Sequence, residues 1–204
     1  MCKVQNYSTD LPMDKSRKRS NPQEQMRGGK ADDDALKCLL SSPIDVLELT
    51  HSQHAELCNV LEQIADSLPD EIEPPKCRQA LDCLLWELPL HHKDEEDGLF
   101  PLLEMRALPE DNIVEHLAQL SLEHATDDSF ADELSEHLEI LSKGEKPRNP
   151  NMLGYMLRGF FESYRRHLHW ENSVVLPLAR KRLTAIDLQM LREVMIGHRE
   201  NRKI

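Results

Sequence analysis

Apolar residues recur at steps of three and four along four long segments of this chain, and this spacing constrains the fold more than any other feature. Such steps place the apolar side chains on one face of an α-helix. The stripes run through residues 47–68, 77–102, 113–141 and 153–178, with turn sequences such as LPDEIEPPK and KGEKPRNPN between them. Four long helices with one inward stripe each, joined by short connections, predict an all-α, up-down-up-down four-helix bundle.

Helix-start signals divide the chain into parts. Ser42 is a favourable N-cap, Pro43 suits the first helical position, and Thr184 suits the N-cap of a shorter fifth helix. The residues before Ser42 are polar and include the basic run KSRKRS, which predicts a flexible tail, with docking to a partner as the alternative role of that run. The segment ADDDALKCLL within this tail is compatible with a short helix. The predicted parts are a polar N-terminal tail over residues 1–41, the bundle over 42–182, and a C-terminal helix packing on the bundle over 183–204.

The composition argues against several classes of function. The formal net charge of −12 argues against nucleic acid or an anionic membrane as the main partner, because both need a basic surface. No apolar run has the length of a membrane span, and the N-terminal residues lack the apolar core of a signal peptide, so a cytoplasmic location is expected. The five cysteines are scattered without a Cys-x2-Cys pair, which argues against a disulfide framework and against a zinc–thiolate site.

Histidines interrupt all four apolar stripes. The pattern His-x3-Glu-x5-Pro occurs twice, in HHKDEEDGLFP of the second stripe and in HLHWENSVVLP of the fourth. Positions i and i+4 share a helix face, so the histidine and the glutamate of each pair point inward together. A lone histidine on such a stripe is usually a hydrogen-bonded core residue, but buried carboxylates without partners cost on the order of several kcal/mol, which a divalent metal ion offsets. The predicted metal ligands are His54, His91, Glu95, His124, His167 and Glu171.

The number and type of these groups predict two metal ions. Four imidazoles and two carboxylates exceed what one tetrahedral zinc ion with an open position needs. They suit two ions with two histidines each, both glutamates bridging and a solvent-derived oxygen between the ions, which leaves a vacancy for a small ligand. Nitrogen and oxygen donors without thiolate favour iron, with manganese second and zinc as a further alternative.

Other polar residues lie on or beside the stripes. His51 is within reach of the site, but a surface or outer role is favoured for it. Cys58 reads as a small core residue, and Tyr164 as a core residue or a hydroxyl in the ligand pocket. His92 and His169 lie away from the stripes and are expected in solvent.

These motifs resemble the hemerythrin-like, HHE cation-binding family. The resemblance extends over about residues 42–182 and rests on SPIDVLELTHSQHAEL, HHKDEEDGLFPLLE, LEHATDD and HLHWENSVVLPLA. It implies a non-haem di-iron four-helix bundle that binds O2 or NO. Relatives act in oxygen or redox sensing, in oxygen storage, and in the protection or repair of iron–sulfur clusters under nitrosative stress.

The chain departs from the family pattern in two places. Hemerythrin oxygen carriers have a His-x3-His pair on the third helix, whereas Asp128 lies one turn after His124 here. This departure favours a more symmetric site, in which Asp127 or Asp128 can orient His124. The di-iron repair proteins carry an N-terminal cysteine-pair domain, whereas this chain has only the scattered Cys2 and Cys38 in that region.

Two other classes of function remain open. One is a di-iron redox enzyme that consumes peroxide or nitric oxide. Ferritin-like oxidases need paired Glu-x2-His motifs and only Glu48 and His51 fit, so that fold is disfavoured, but turnover at a hemerythrin-like site is not. The other is a metal-free interaction bundle, in which leucine can replace the stripe histidines without loss of function. No sequence feature identifies a protein partner.

Overall fold

The computed structural model describes residues 41–200, and the prediction of an all-α helical bundle is confirmed for them: they form helices joined by short turns, with no strand. The basic run and the segment 31–40 lie outside the described residues. None of the described helices combines the length and the apolar character that crossing a membrane requires. The α-helices are α1 (Pro43–Ser67), α2 (Pro74–Asp82), α3 (Leu88–Asp94), α4 (Phe100–Arg106), α5 (Val114–Ser142), α6 (Pro150–Trp170), α7 (Leu176–Arg182) and α8 (Ala185–Glu200).

Four long helices arise from these elements because π turns join some of them end to end. Helices α2, α3 and α4 form the second long helix through the π turns Cys83–Glu87 and Glu95–Leu99. Helices α6 and α7 form the fourth through the π turn Glu171–Val175. The first long helix, α1, packs against the second and the fourth, and the third, α5, packs against the same two.

Two apolar clusters fill the interior of the bundle, one toward each end. Successive long helices meet these clusters in opposite order, so their directions alternate up and down. The first apolar cluster draws on residues 57–65, 77–88, 131–141 and 153–168. The second apolar cluster draws on residues 44–47, 99–103, 113–120, 175–179 and 191–195.

A proline follows each of the three π turns. It lies six residues after the first residue of the turn in every case, at Pro89, Pro101 and Pro177. Proline has no amide hydrogen, and in an α-helix its ring collides with the carbonyl group four residues earlier. The wider turn accommodates the ring, and the residue before the proline keeps a backbone hydrogen bond. The amide of Phe100 donates to the backbone carbonyl oxygen of Glu95, and the amide of Leu176 donates to that of Glu171. The helices therefore continue through their prolines.

Each π turn adds one residue and so shifts the inward face of the helix by one position. After Glu171 the prediction that Val174 and Leu178 lie on the inward stripe is wrong, since both are only partly buried. Val175 and Ala179 are fully buried in their place. In the fourth long helix the predicted stripe therefore holds up to the turn and is out of phase beyond it.

Helix α8 packs on the end of the bundle that contains the second apolar cluster. The predicted N-cap Thr184 exchanges hydrogen bonds with Asp187, whose carboxylate also accepts two from Arg106. Leu191 is fully buried against Gly98, where an added Cβ atom would lie 2.7 Å from the Leu191 Cδ1 atom. Glycine at position 98 therefore allows α8 to approach the π turn closely.

We predict that Leu191→Ala lowers the free energy of unfolding by about 2–5 kcal/mol, because it leaves a cavity between α8 and the second apolar cluster. Urea unfolding followed by circular dichroism measures the change. Ile186→Ala is the matched control, since Ile186 lies on the same helix with 71% of its surface exposed, and it should change the stability by less than about 0.5 kcal/mol. Equal effects of the two substitutions would contradict the docking of α8.

Candidate metal centre

A layer of buried ionisable side chains separates the two apolar clusters. All four long helices contribute to it, and its members are at most 3% exposed. They are His51 and His54 of α1, His91, His92 and Glu95 of the second long helix, His124 of α5, and His167 and Glu171 of the fourth. The two glutamates are the first residues of π turns, a helical irregularity that is frequent at functional sites.

Two groups within this layer have the geometry of metal sites. In each group the candidate ligand atoms, one from each residue, lie within 4.8 Å of one another. The first group contains His51, His91, Glu95 and Glu171, and the second contains His124, His167 and Glu171. Glu171 belongs to both, so the two positions share a carboxylate.

Glu171 reaches the two groups through different oxygen atoms. Its Oε2 lies 3.4 Å from His51 Nε2, whereas its Oε1 lies 3.1 Å from His167 Nε2. Glu95 Oε1 lies 3.5 Å from His51 Nε2, and its Oε2 lies 3.3 Å from His91 Nε2 and 3.5 Å from His124 Nε2. Glu171 therefore has the arrangement of a bridging ligand, and Glu95 belongs to the first group while one of its oxygens also approaches the second.

Hydrogen bonds on the outer ring nitrogens orient three of the imidazoles. His51 Nδ1 lies 2.8 Å from Asn172 Oδ1. His124 Nδ1 lies 2.7 Å from Glu96 Oε1, and His167 Nδ1 lies 3.1 Å from Glu123 Oε2. Because these oxygens are acceptors, the neutral imidazoles carry their hydrogen on Nδ1 and turn the lone pair of Nε2 inward, as metal-bound histidines do.

The inner nitrogens of His124 and His167 lie 3.1 Å apart. Two lone pairs facing each other at that distance repel, so the contact requires either a proton between the nitrogens or a metal ion beside both. An octahedral ion with metal–nitrogen bonds of about 2.1 Å holds neighbouring donors about 3 Å apart, which matches this separation. The pair is therefore arranged as two adjacent ligands of one ion.

Unsatisfied polar atoms provide a further test of whether a metal fits. The four carboxylate oxygens of Glu95 and Glu171, together with Nε2 of His51 and His91, are buried and have no hydrogen-bond partner within the described residues. A buried polar atom without a partner costs about 1–3 kcal/mol, and a charged one costs more. Metal ions bound by these donors offset that penalty, so the residues fit a metal centre.

The negative charges of the carboxylates also favour positive charge on the neighbouring imidazoles. Burial opposes the charged form of an imidazole, yet Glu95 and Glu171 raise the pKa of His51 to about 9. Against the same opposition from burial, Glu171 and Glu96 raise the pKa of His124 to about 10. Burial and then the charge of Glu171 raise the pKa of Glu95 to about 7. Without metal, protons therefore supply part of the charge that the carboxylates need.

The first long helix presents its histidines differently from the prediction. The surface role favoured for His51 is wrong, because its side chain is buried, and the residue belongs to the first group of candidate ligands. His54, a predicted ligand, belongs to neither group. Its Nδ1 lies 2.8 Å from the hydroxyl of Tyr164, and its buried Nε2 has no hydrogen-bond partner within the described residues.

A sequence signal for His51 does exist. Leu47, His51, His54 and Cys58 follow steps of four, three and four, and all are buried. Both histidines therefore lie on the inward face, and spacing alone does not rank them. The hydrogen-bond partner of each ring distinguishes them, and that partner comes from the fourth long helix.

Residues around the layer confirm some expectations and correct others. The expectation that His92 is in solvent is wrong: it is buried, stacks on His124 with 4.1 Å between ring centroids, and bonds to Asp128. His169 is exposed, as expected. The outer partner of His124 is Glu96 and not a neighbouring aspartate. Cys58 is a core residue in the first apolar cluster, where burial raises the pKa of its thiol to about 12.

We predict that in metal-free protein Glu95→Gln raises the free energy of unfolding at about pH 8 by about 1–3 kcal/mol, because glutamine has no charge to bury where the glutamate is ionised above its raised pKa. The folded pKa of about 7 exceeds the ordinary 4.5, so Glu95 contributes stability below pH 4.5 that is lost as the pH rises through 7. The advantage of the glutamine variant should therefore grow across that window.

Urea unfolding in the presence of a chelator, at about pH 5 and about pH 8, measures this difference. The exposed Glu115→Gln is the control and should show no such pH dependence. A glutamine variant less stable than the unmodified protein at the higher pH would contradict the prediction.

Comparison with protein-family models matches residues 42–179 to the hemerythrin HHE cation binding domain. A search of curated proteins found none that matches the chain. The family match spans all four long helices and both groups of candidate ligands. The chain therefore belongs to the hemerythrin HHE cation-binding domain family.

Proposed function

We propose that this protein is a non-haem di-iron protein that binds a diatomic ligand, O2 or NO, in oxygen or redox sensing, in storage, or in the response to oxidative and nitrosative stress. The single observation that carries the proposal is the shared carboxylate: Glu171 belongs to two groups of buried histidines, and Glu95 also reaches both. Two ions would account for all six side chains of the two groups, whereas one ion would leave either His124 and His167 or His51, His91 and Glu95 without a metal.

The donor set supports iron as the metal. Both groups consist of imidazole and carboxylate donors without a thiolate, a combination that suits iron or manganese. Zinc prefers four ligands in a tetrahedron, which the shared and bridging carboxylates do not resemble. In the proposal the ions supply ligand binding and electron transfer, and the chain holds and encloses them.

The number of donors supports a small ligand. Each position has two imidazoles and one or two carboxylates within reach, so an octahedral ion keeps coordination positions for solvent or a small molecule. The layer lies between two apolar clusters, and its side chains are almost fully buried. A small neutral molecule such as O2 or NO enters such an interior more readily than a charged substrate does.

We predict that metal-free protein given Fe(II) without oxygen retains about two iron ions per chain. His51→Ala should reduce the content to about one, because it removes a ligand of the first group. His54→Ala should retain both ions, because His54 belongs to neither group of candidate ligands. Iron analysis after desalting measures the content, and the exposed His169→Ala is the control.

If His54→Ala loses an iron ion and His51→Ala retains both, His54 is the ligand from α1. An unmodified protein that retains no iron would overturn the di-iron proposal and favour a metal-free interaction bundle.

Stopped-flow mixing of the iron-loaded, reduced protein with O2, NO or peroxide separates ligand binding from catalysis. We expect O2 or NO to give one optical change per di-iron unit that reverses when the free ligand is removed. Sustained consumption of peroxide or NO with a reductant present would contradict simple binding and identify a redox enzyme.

A further inference from the structure

The histidines of the two metal positions differ in what holds their outer nitrogens. The second position has His124 and His167, and each bonds a carboxylate, Glu96 or Glu123. The first position has His51, which bonds the neutral amide of Asn172. Its other histidine, His91, has no hydrogen-bond partner for Nδ1 within the described residues.

The two outer carboxylates lie between the imidazoles and solvent. The side chains of Glu96 and Glu123 are 35% and 42% exposed, so water solvates them on one side while the imidazole bonds the other. Glu96 is also fixed by the hydroxyl of Ser121, which donates to its Oε2 at 2.8 Å.

A carboxylate that accepts the Nδ1 hydrogen makes the imidazole a stronger donor at Nε2, and its negative charge attracts the cation beyond the ring. An amide oxygen orients the ring without adding charge, and an unbonded ring has neither effect. We propose that Glu96 and Glu123 make the His124–His167 position the tighter of the two, so that it fills first and empties last. This inference rests on the proposed function, because it requires two metal ions.

Anaerobic titration of Fe(II) into the metal-free full chain tests the order of filling. Calorimetry with a competing chelator should resolve a tight step and a weaker step. Glu96→Gln and Glu123→Gln should each weaken the tight step by roughly 10–100-fold and change the weaker step much less. Asn172→Asp should strengthen the weaker step, because it gives His51 the charged partner that it lacks.

Asp128→Asn is the matched control. Asp128 is a third carboxylate of similar exposure, 44%, that bonds a buried histidine, but its partner His92 belongs to neither group. The control removes the same charge from the same side of the bundle and should alter neither step by more than about twofold.

Several outcomes would overturn the inference. They are two steps of equal affinity, glutamine variants that weaken both steps alike, and an effect of Asp128→Asn as large as theirs. A variant that folds poorly would lower both affinities together, so the ratio of the two steps within one protein separates misfolding from the expected effect. An unmodified protein that binds no iron would instead reject the di-iron proposal itself.

Discussion

Two buried carboxylates impose the constraint on which the rest of the structure depends. Glu95 and Glu171 lie at the centre of the bundle, fully buried, with no hydrogen-bond partner for any of their four oxygens within the described residues. An apolar interior tolerates such groups only if cations neutralise them. The surrounding imidazoles would hold such cations as metal ligands. Without metal they accept protons instead, which explains why the pKa values of His51 and His124 are raised beside the carboxylates.

The backbone around the two glutamates is shaped by two of the three π turns. Each begins at one of the glutamates, and a proline six residues later makes an ordinary α-helical turn sterically unfavourable. The extra residue lets one helix present histidine and glutamate inward and then continue with apolar residues in a new phase. The carboxylates can thus lie in the layer without displacing the second apolar cluster, and Gly98 leaves room for α8 behind one of the turns.

Much of the bundle and the candidate site could be predicted from spacing alone. Every residue of the predicted third stripe is buried, because α5 is an uninterrupted helix with uniform spacing. The fourth stripe is correct up to Glu171 and out of phase after it, because no uniform period represents a π turn. Which histidine of α1 belongs to a candidate metal group depends on partners from another helix, Asn172 for His51 and Tyr164 for His54. The burial of His92 depends in the same way on Asp128. Such contacts are not encoded in the spacing of one helix.

The buried carboxylates and the half-exposed carboxylates affect the electrostatics of the layer in different ways. A fully buried glutamate near other acids is readily protonated, as the raised pKa of Glu95 indicates, so its charge depends on the cation that it binds. Glu96 and Glu123 are partly exposed, so water solvates their carboxylates on one side. Each accepts a hydrogen bond from the outer nitrogen of an imidazole, His124 or His167, and so increases the electron density at the inner nitrogen of that ring. The buried pair therefore defines where cations lie, and the half-exposed pair distinguishes one position from the other.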